Sequence, residues 1–402
     1  MSLSEVASSE RLHIAFFGLR NAGKSSVVNS LTGVDLSIVS DIKGTTTDPV
    51  KRAMELLPLG PVVIIDTPGL DDEGEIGKKR VEKAKQILDK TDIAVLVVDS
   101  TIGLSELDNE LIKELKDRKL PFLIALNKRD LSISNIENKL NDIYADSFVK
   151  VSAKTGQGIK ELKEKLGSFL KNQKNEKHYV SDIISKNDTI ILVIPIDESA
   201  PKGRIIMPQQ MALRDCLDAH CKIICCQVEE LNSILNLLKE PPDLVITDSQ
   251  AFKQVSLLVP EKINLTSFSI LMARYKGNLK YLMKGAKALK ELKDGDNVLI
   301  AEGCVHHRQC NDIGTKKIPA WIENFSNSKP KYNFVSGSDF PNDLSQYKLI
   351  VHCGGCMLNE IEMKNRLNKA TKANIPIVNY GIAIAEMNGI LKRAVKVFKD
   401  IN

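Results

Sequence analysis

Aromatic side chains are scarce in this chain: 5 % of 402 residues, with a single tryptophan. A single-stranded nucleic-acid surface needs aromatics interleaved with lysine and arginine. No such stretch stands out, and a net charge of +5 is too small to argue for a phosphate-seeking surface. Nucleic acid is therefore not an expected partner. Long apolar runs are also missing. None approaches the roughly 18 residues of a membrane span, and no basic n-region followed by an apolar h-region opens the chain. A cytoplasmic protein with no membrane partner is the expectation. The cytosol keeps thiols reduced, so the eight cysteines are not expected to form a disulfide framework. Where they cluster, metal binding or catalysis is the better reading. Low-complexity tracts and internal sequence repeats are absent too.

What the chain does have is alternation. Short apolar runs such as "LHIAFFGL" (12–19), "VVIID" (62–66), "IAVLVVD" (93–99) and "FLIALN" (122–127) read as buried parallel strands. Amphipathic stretches such as "ELDNELIKELKDR" lie between them. This is the pattern of an α/β sheet. The polar stretch "KNQKNEKHYV" (171–180) reads as a linker. A second α/β segment follows it, and a third begins near Asn264 with the strands "NVLIAEG", "KLIVHC" and "IPIVNYG". The expected fold is α/β: an N-terminal P-loop, Ras-like domain followed by two further α/β domains with mainly parallel sheets. The expected boundaries are a nucleotide-binding domain at 1–171, a linker at 172–180, and further domains at 181–264 and 265–402.

"GLRNAGKS" (18–25) fits G-x-x-x-x-G-K-[ST] after a strand and before a helical pattern. Such a loop, spanning Gly18, Asn21, Ala22, Gly23, Lys24, Ser25 and Ser26, wraps phosphates with backbone N–H groups at a helix N-terminus. Lys24 reaches the β- and γ-phosphates, and Ser25 holds magnesium. "DTPG" (66–69) ends a strand, so Asp66 can bind magnesium and the Gly69 N–H can meet the γ-phosphate. In "NKRD", which brings Asn127, Lys128 and Asp130, the Asp130 carboxylate can accept from both guanine N1–H and N2–H. Adenine offers no such pair, so the nucleotide is GTP or GDP. "SAK" (Ser152, Ala153, Lys154) can contact guanine O6 through backbone N–H groups. Together these motifs resemble the TrmE–Era family of translation-factor-type GTPases. "GTTTD" (44–48) is similar to that family's switch I, with Thr47 in place of an arginine, and the resemblance makes Thr46 the magnesium-binding threonine. Lys24, Thr46, Asp66 and Gly69 form the expected catalytic set. Leu70 follows DTPG, and an apolar side chain cannot orient a water. Asn21 matches the asparagine that helps potassium-activated members bind a monovalent cation. Slow hydrolysis stimulated by K⁺ is what this resemblance implies.

The cysteines sort by setting. Cys216 lies in a helical pattern, and Cys221, Cys225 and Cys226 lie in or beside the apolar strand "CKIICC". These four read as small buried hydrophobes. The third segment differs. "EGCVHHRQC" (302–310) follows one strand and "HCGGC" (352–356) ends another. Carboxyl ends of parallel strands face one crevice, so Cys304 can converge with Cys353 and Cys356. A Cys₃His zinc site with His306 and a 4Fe–4S cluster held by three cysteines fit the spacing equally well. A thiol redox pair accounts for CGGC but leaves the Cys304 cluster unexplained.

A G domain followed by C-x-H (Cys304, His306), a long gap and H-C-x-x-C (His352, Cys353, Cys356) resembles the FeFe-hydrogenase maturation GTPases, the HydF family. "LTSFSILMARYKG" (265–277) is similar to that family's segment before the cluster domain. The resemblance implies that Cys304, Cys353 and Cys356 bind a 4Fe–4S cluster. Its fourth ligand, or a supporting hydrogen bond, would come from His306, His352 or Glu302. It also implies a homodimer built on 181–264, and a scaffold or carrier that delivers the two-iron precursor to apo FeFe-hydrogenase after two radical-SAM maturases build its ligands. A TrmE–Era-type GTPase in ribosome or tRNA maturation with a structural zinc site is the alternative.

Overall fold

The computed structural model describes residues 8–33, 50–69, 86–131, 147–172, 177–196, 205–303, 313–337 and 339–399. The chain divides into two compact units, Met1–Asn175 and Glu176–Asn402.

In the first unit β1 (Leu12–Phe17), β2 (Val50–Leu56), β3 (Gly60–Asp66), β4 (Ile93–Asp99), β5 (Phe122–Asn127) and β6 (Phe148–Lys150) form one sheet in the order β2-β3-β1-β4-β5-β6. All neighbours are parallel except β2 and β3. Every residue of β4 is buried, as a central strand covered on both faces requires. Helices Lys24–Thr32 and Glu106–Asp117 lie between strands, and the helix Ile159–Asn172 follows the last one. The helix at Glu106 starts sharply because the Ser105 hydroxyl accepts the Asp108 N–H, while the Asp108 carboxylate accepts the Ser105 N–H.

The second unit holds two four-stranded parallel sheets. One contains β7 (Thr189–Val193), β8 (Lys222–Cys226), β9 (Leu244–Thr247) and β10 (Asn264–Ser267), ordered β10-β9-β7-β8. The other contains β11 (Asn297–Glu302), β12 (Lys331–Ser336), β13 (Leu349–His352) and β14 (Ile377–Asn379), ordered β12-β11-β13-β14. In both sheets the second strand flanks the first on one side, the third on the other, and the fourth lies beyond the third. One hydrophobic core, running from Tyr179 to Phe398 in sequence, serves both.

The fold class agrees with the sequence reading, and several details differ from it. A boundary at 264/265 falls inside β10, which pairs along β9 from Asn264 to Ser267. The end of the polar linker is folded: Tyr179 and Val180 are buried in the second core. One oxygen of Asp215 accepts the backbone N–H groups of Tyr179, Val180 and Ser181, and so draws this stretch onto the helix Met207–Asp218. Cys216 and Cys226 are buried as expected, but Cys225 is exposed, because β8 is an edge strand with one face to solvent. The helix after CGGC starts only at Glu360, capped by the Asn359 side chain. Its N-terminus therefore does not coincide with the thiols, as a thioredoxin-like pair needs. No helix among the described residues is long and apolar enough to cross a membrane.

Candidate functional site

The P-loop hangs between β1 and the helix at Lys24. Gly23 has φ +90°, and a Cβ there would lie 2.3 Å from Asn127 Nδ2. A Cβ on Gly18 would lie 2.2 Å from the Val97 carbonyl oxygen. Both positions need glycine because neighbouring strands press against the loop. Asn21 is exposed in the left-handed region at φ +62°. Lys24 is nearly buried, its Nζ donating to Gly18 O (3.1 Å) and Leu19 O (2.9 Å). Ser25 Oγ donates to Asp66 Oδ2 at 2.5 Å, tying the P-loop helix to the end of β3. Burial raises the Asp66 pKa, against the Ser25 hydrogen bond and the Lys24 charge. Its second oxygen is buried with no hydrogen-bond partner among the described residues. A hydroxyl beside a carboxylate with a spare oxygen is a donor set that suits magnesium. Thr67 begins the loop after β3, and its hydroxyl is pinned to Phe16 O at 2.7 Å. Gly69 is the last described residue there. Thr46, Thr47 and Leu70 lie outside the described residues.

The guanine end is held by side chains holding one another. Asn127 Nδ2 donates to Ala22 O in the P-loop (3.0 Å), while its Oδ1 accepts the Ala153 N–H (3.1 Å). One side chain thus clamps two loops. Asp130 accepts from Ser152 Oγ at 2.7 Å, which lowers its pKa and keeps it a carboxylate. Lys154 follows in an exposed turn, and Ser26 is exposed in the first helical turn. Lys128, at φ +65°, donates through Nζ to Asp99 Oδ2 at 2.6 Å. Asp99 in turn accepts from the Thr101 N–H and hydroxyl. The sequence reading missed Asp99; its one signal is an acidic residue closing a buried strand.

The second candidate site lies where β11 and β13 end side by side, at the point where the strand order of their sheet reverses. Cys353 follows β13, and its sulfur accepts the Gly303 N–H at 3.0 Å and the Gly355 N–H at 3.4 Å. Gly355 achieves this at φ +66°. Burial pushes the Cys353 thiol up to about 11 and raises Cys356 as well. Soft thiols with N–H groups aimed at a sulfur are donors that suit a thiolate-bound iron–sulfur cluster. Cys304 and His306 lie outside the described residues. Among the described residues no group of three metal-ligating side chains converges.

His352 is fully buried. Its Nδ1 lies 2.8 Å from Cys353 O, and its Nε2 lies 3.0 Å from Arg366 Nη1. A carbonyl only accepts and a guanidinium only donates, so Nδ1 carries the proton and Nε2 gives its lone pair to Arg366. Burial and the Arg366 charge press its pKa down to about 3. In this arrangement neither nitrogen is left for iron, so of its two expected roles His352 fits the supporting hydrogen bond rather than the fourth ligand. Arg366 also meets Glu362 Oε1 at 2.8 Å and lies over the Phe340 ring. Glu302 ends β11, mostly buried, and accepts from the Tyr380 hydroxyl at 3.4 Å.

The nucleotide motifs at these strand ends define the class: the N-terminal domain is a P-loop GTPase domain. Residues 13–128 match the family model of the 50S ribosome-binding GTPases. The rest of the chain narrows this. Residues 179–277 match the hydrogen maturase F dimerization domain and residues 280–397 its tetramerization domain. The chain belongs to the hydrogen maturase F family. Among curated relatives, the tRNA modification GTPase MnmE of Clostridioides difficile (strain 630) is 37% identical over 163 residues, 40% of this chain and 35% of that protein. GTPase Der of Kosmotoga olearia is 36% identical over 170 residues, 39% of this chain and 38% of that protein. The chain thus spans little more than a third of the length of these relatives. A solved structure of a probable GTP-binding protein engB is 25% identical, covers 40% of this chain and 100% of its own, and gives a TM-score of 0.34.

Proposed function

We propose that the protein is a GTP-binding and hydrolysing carrier in FeFe-hydrogenase maturation. It holds a 4Fe–4S cluster and delivers the two-iron precursor of the active site to the apo-hydrogenase. The observation that carries this reading is the pair of buried thiols at a parallel-sheet crevice, with backbone N–H groups aimed at Cys353 Sγ, in a chain that also bears a complete guanine-nucleotide motif set. Cys353, Cys356 and Cys304 are the proposed cluster ligands, with Glu302 or His306 beside the fourth position. The cluster would supply an iron with an exchangeable site for the precursor. His352 and Arg366 orient the Cys353 backbone.

In the G domain, Ser25, Asp66 and Thr46 would hold magnesium, which neutralises phosphate charge. Lys24 and the P-loop N–H groups, with Gly69, hold the phosphates. Asp130 selects guanine, and Lys128 is held in place by Asp99. Asn21 would face a potassium ion. Switch loops ordered by the γ-phosphate relax on hydrolysis, which would change affinity for the apo-hydrogenase and the two radical-SAM maturases. Homodimerisation through residues 181–264 accompanies this reading, and the protein acts in the cytoplasm. The similarity to tRNA modification GTPases supports the GTPase half of this reading, and a GTPase of ribosome or tRNA maturation with a structural zinc site is the alternative.

Anaerobic reconstitution with iron and sulfide tests the central claim. A broad visible band from thiolate-bound iron, lost in Cys353→Ala, is the expected result. A colourless protein that keeps stoichiometric zinc would overturn it.

A further inference from the structure

Lysine is rarely buried without a reason. Lys276 is 2% exposed. It is the last residue of the helix Phe268–Lys276, and its Nζ donates to the carbonyl oxygens of Cys356 (3.1 Å) and Leu358 (2.8 Å). These residues lie some eighty positions further along the chain, on the turn that presents the thiols. The same turn is closed by the Leu358 N–H bonding to Gly355 O at 3.1 Å and by the Cys353 N–H bonding to Ala301 O at 2.8 Å. At its tip Met357 is half in solvent. The helix itself begins where β10 ends, with Ser267 capping the Ile270 N–H. A rod of nine residues, about 13 Å long, therefore runs from the edge of the second sheet to the cysteine turn.

We propose that Lys276 is the positioning residue of the CGGC turn and the fixed counter-charge of the cluster it holds. Its two hydrogen bonds clamp the turn from below, and its ammonium offsets the negative charge that thiolates and sulfides bring into a buried crevice. The charge half of this proposal rests on the cluster reading given above. The clamp half does not. A nearby cation stabilises the more negative, reduced cluster relative to the oxidised one.

Two variants test it: Lys276→Met removes charge and donors at similar length, and Lys276→Arg keeps both. In the full-length metal-free protein, hydrogen exchange of a peptide covering residues 353–359 is expected to speed up at least tenfold in Lys276→Met. A β11 peptide should be unchanged, and Lys276→Arg should stay near wild type. In the reconstituted protein the Met variant should hold a cluster with a more negative midpoint. At least a tenfold shift in the reduced-to-oxidised ratio at fixed potential is expected, about 59 mV for one electron, with Lys276→Arg close to wild type. Unchanged exchange overturns the clamp. An unchanged midpoint overturns the counter-charge. Loss of protection throughout the unit also overturns the clamp, because the effect would not be confined to the turn. If the wild-type protein takes up no iron, the carrier reading and the counter-charge fail together, while the exchange measurement still decides the clamp.

Discussion

The nucleotide site and the cysteine site both sit at carboxyl ends of parallel strands, yet they are organised in opposite ways. In the first, side chains hold side chains and loops: Asn127 bridges Ala22 and Ala153, Ser152 braces Asp130, and Asp99 holds Lys128. The Asp130 carboxylate is already braced and held in its charged form by the Ser152 hydroxyl. In the second, backbone N–H groups and buried charges surround thiols whose ionisation is opposed by burial, Cys353 most of all. A nucleotide arrives with its own charges and many acceptors, so its site needs ready-made donors in fixed places. A cluster of the kind proposed would form bonds to sulfur, and its irons would have to drive the thiols to give up their protons. The first site is prepared before its ligand arrives, whereas the second, on the proposed reading, would be completed by its ligand.

The largest effects should separate the two sites cleanly. Lys24→Ala is expected to weaken GTP binding by roughly 100-fold or more, the loss of about 3 kcal/mol of charge-assisted contact. Iron uptake should be unchanged. Cys353→Ala should do the reverse: no iron retained on a desalting column, and nucleotide affinity within error of wild type. If either substitution disables both sites, their independence is broken. Next comes Asn127→Ala, which cuts both clamps at about 1 kcal/mol each, or roughly 30-fold in GDP affinity by fluorescent-nucleotide titration. Asp215→Ala should cost the second unit about 2 kcal/mol, since one oxygen serves three N–H groups. Calorimetry should show its transition lowered by roughly 4–8 °C, with GTP affinity unaltered. The smallest effect concerns pH. The Ser152 hydroxyl lowers the Asp130 pKa, so the base-reading carboxylate stays charged to lower pH than an ordinary aspartate. Ser152→Ala should move the acid limb of GDP binding to higher pH. An unmoved limb would mean that Asp130 is not the group that titrates.

Much of the nucleotide site was legible in the sequence because its chemistry is local. Short motifs at strand ends bring their own glycines, and Ser25 meets Asp66 because both motifs close neighbouring strands. Even there Asp99 was silent, since an aspartate at the end of a strand has no period or spacing to mark it. At the cysteine site the thiols were legible but their support was not. Lys276 looks like any basic residue in the last turn of a helix, and Arg366 like part of a charged helical face. Only burial reveals that they point inward. For His352 the sequence left two roles open, ligand or supporting hydrogen bond, and only the contacts of its buried ring with Cys353 O and Arg366 favour the second. The exposed Cys225 shows that an apolar run does not say whether its strand is central or at an edge.

The shared strand order of the two C-terminal sheets has a consequence of its own. Thr247 pairs with Val193 in one sheet as His352 pairs with Ala301 in the other. Asp248 thus occupies the place of Cys353, and Ile194 the place of Glu302. One architectural plan is used twice in a row, once with a cysteine after its third strand and once with Asp248 there, and no sequence repeat betrays it. The first copy, whose cysteines lie in and around β8 and not at these strand ends, is a natural blank: an acceptor for loop grafts that would measure how much of the cysteine chemistry is a property of the loops and how much of the scaffold beneath them.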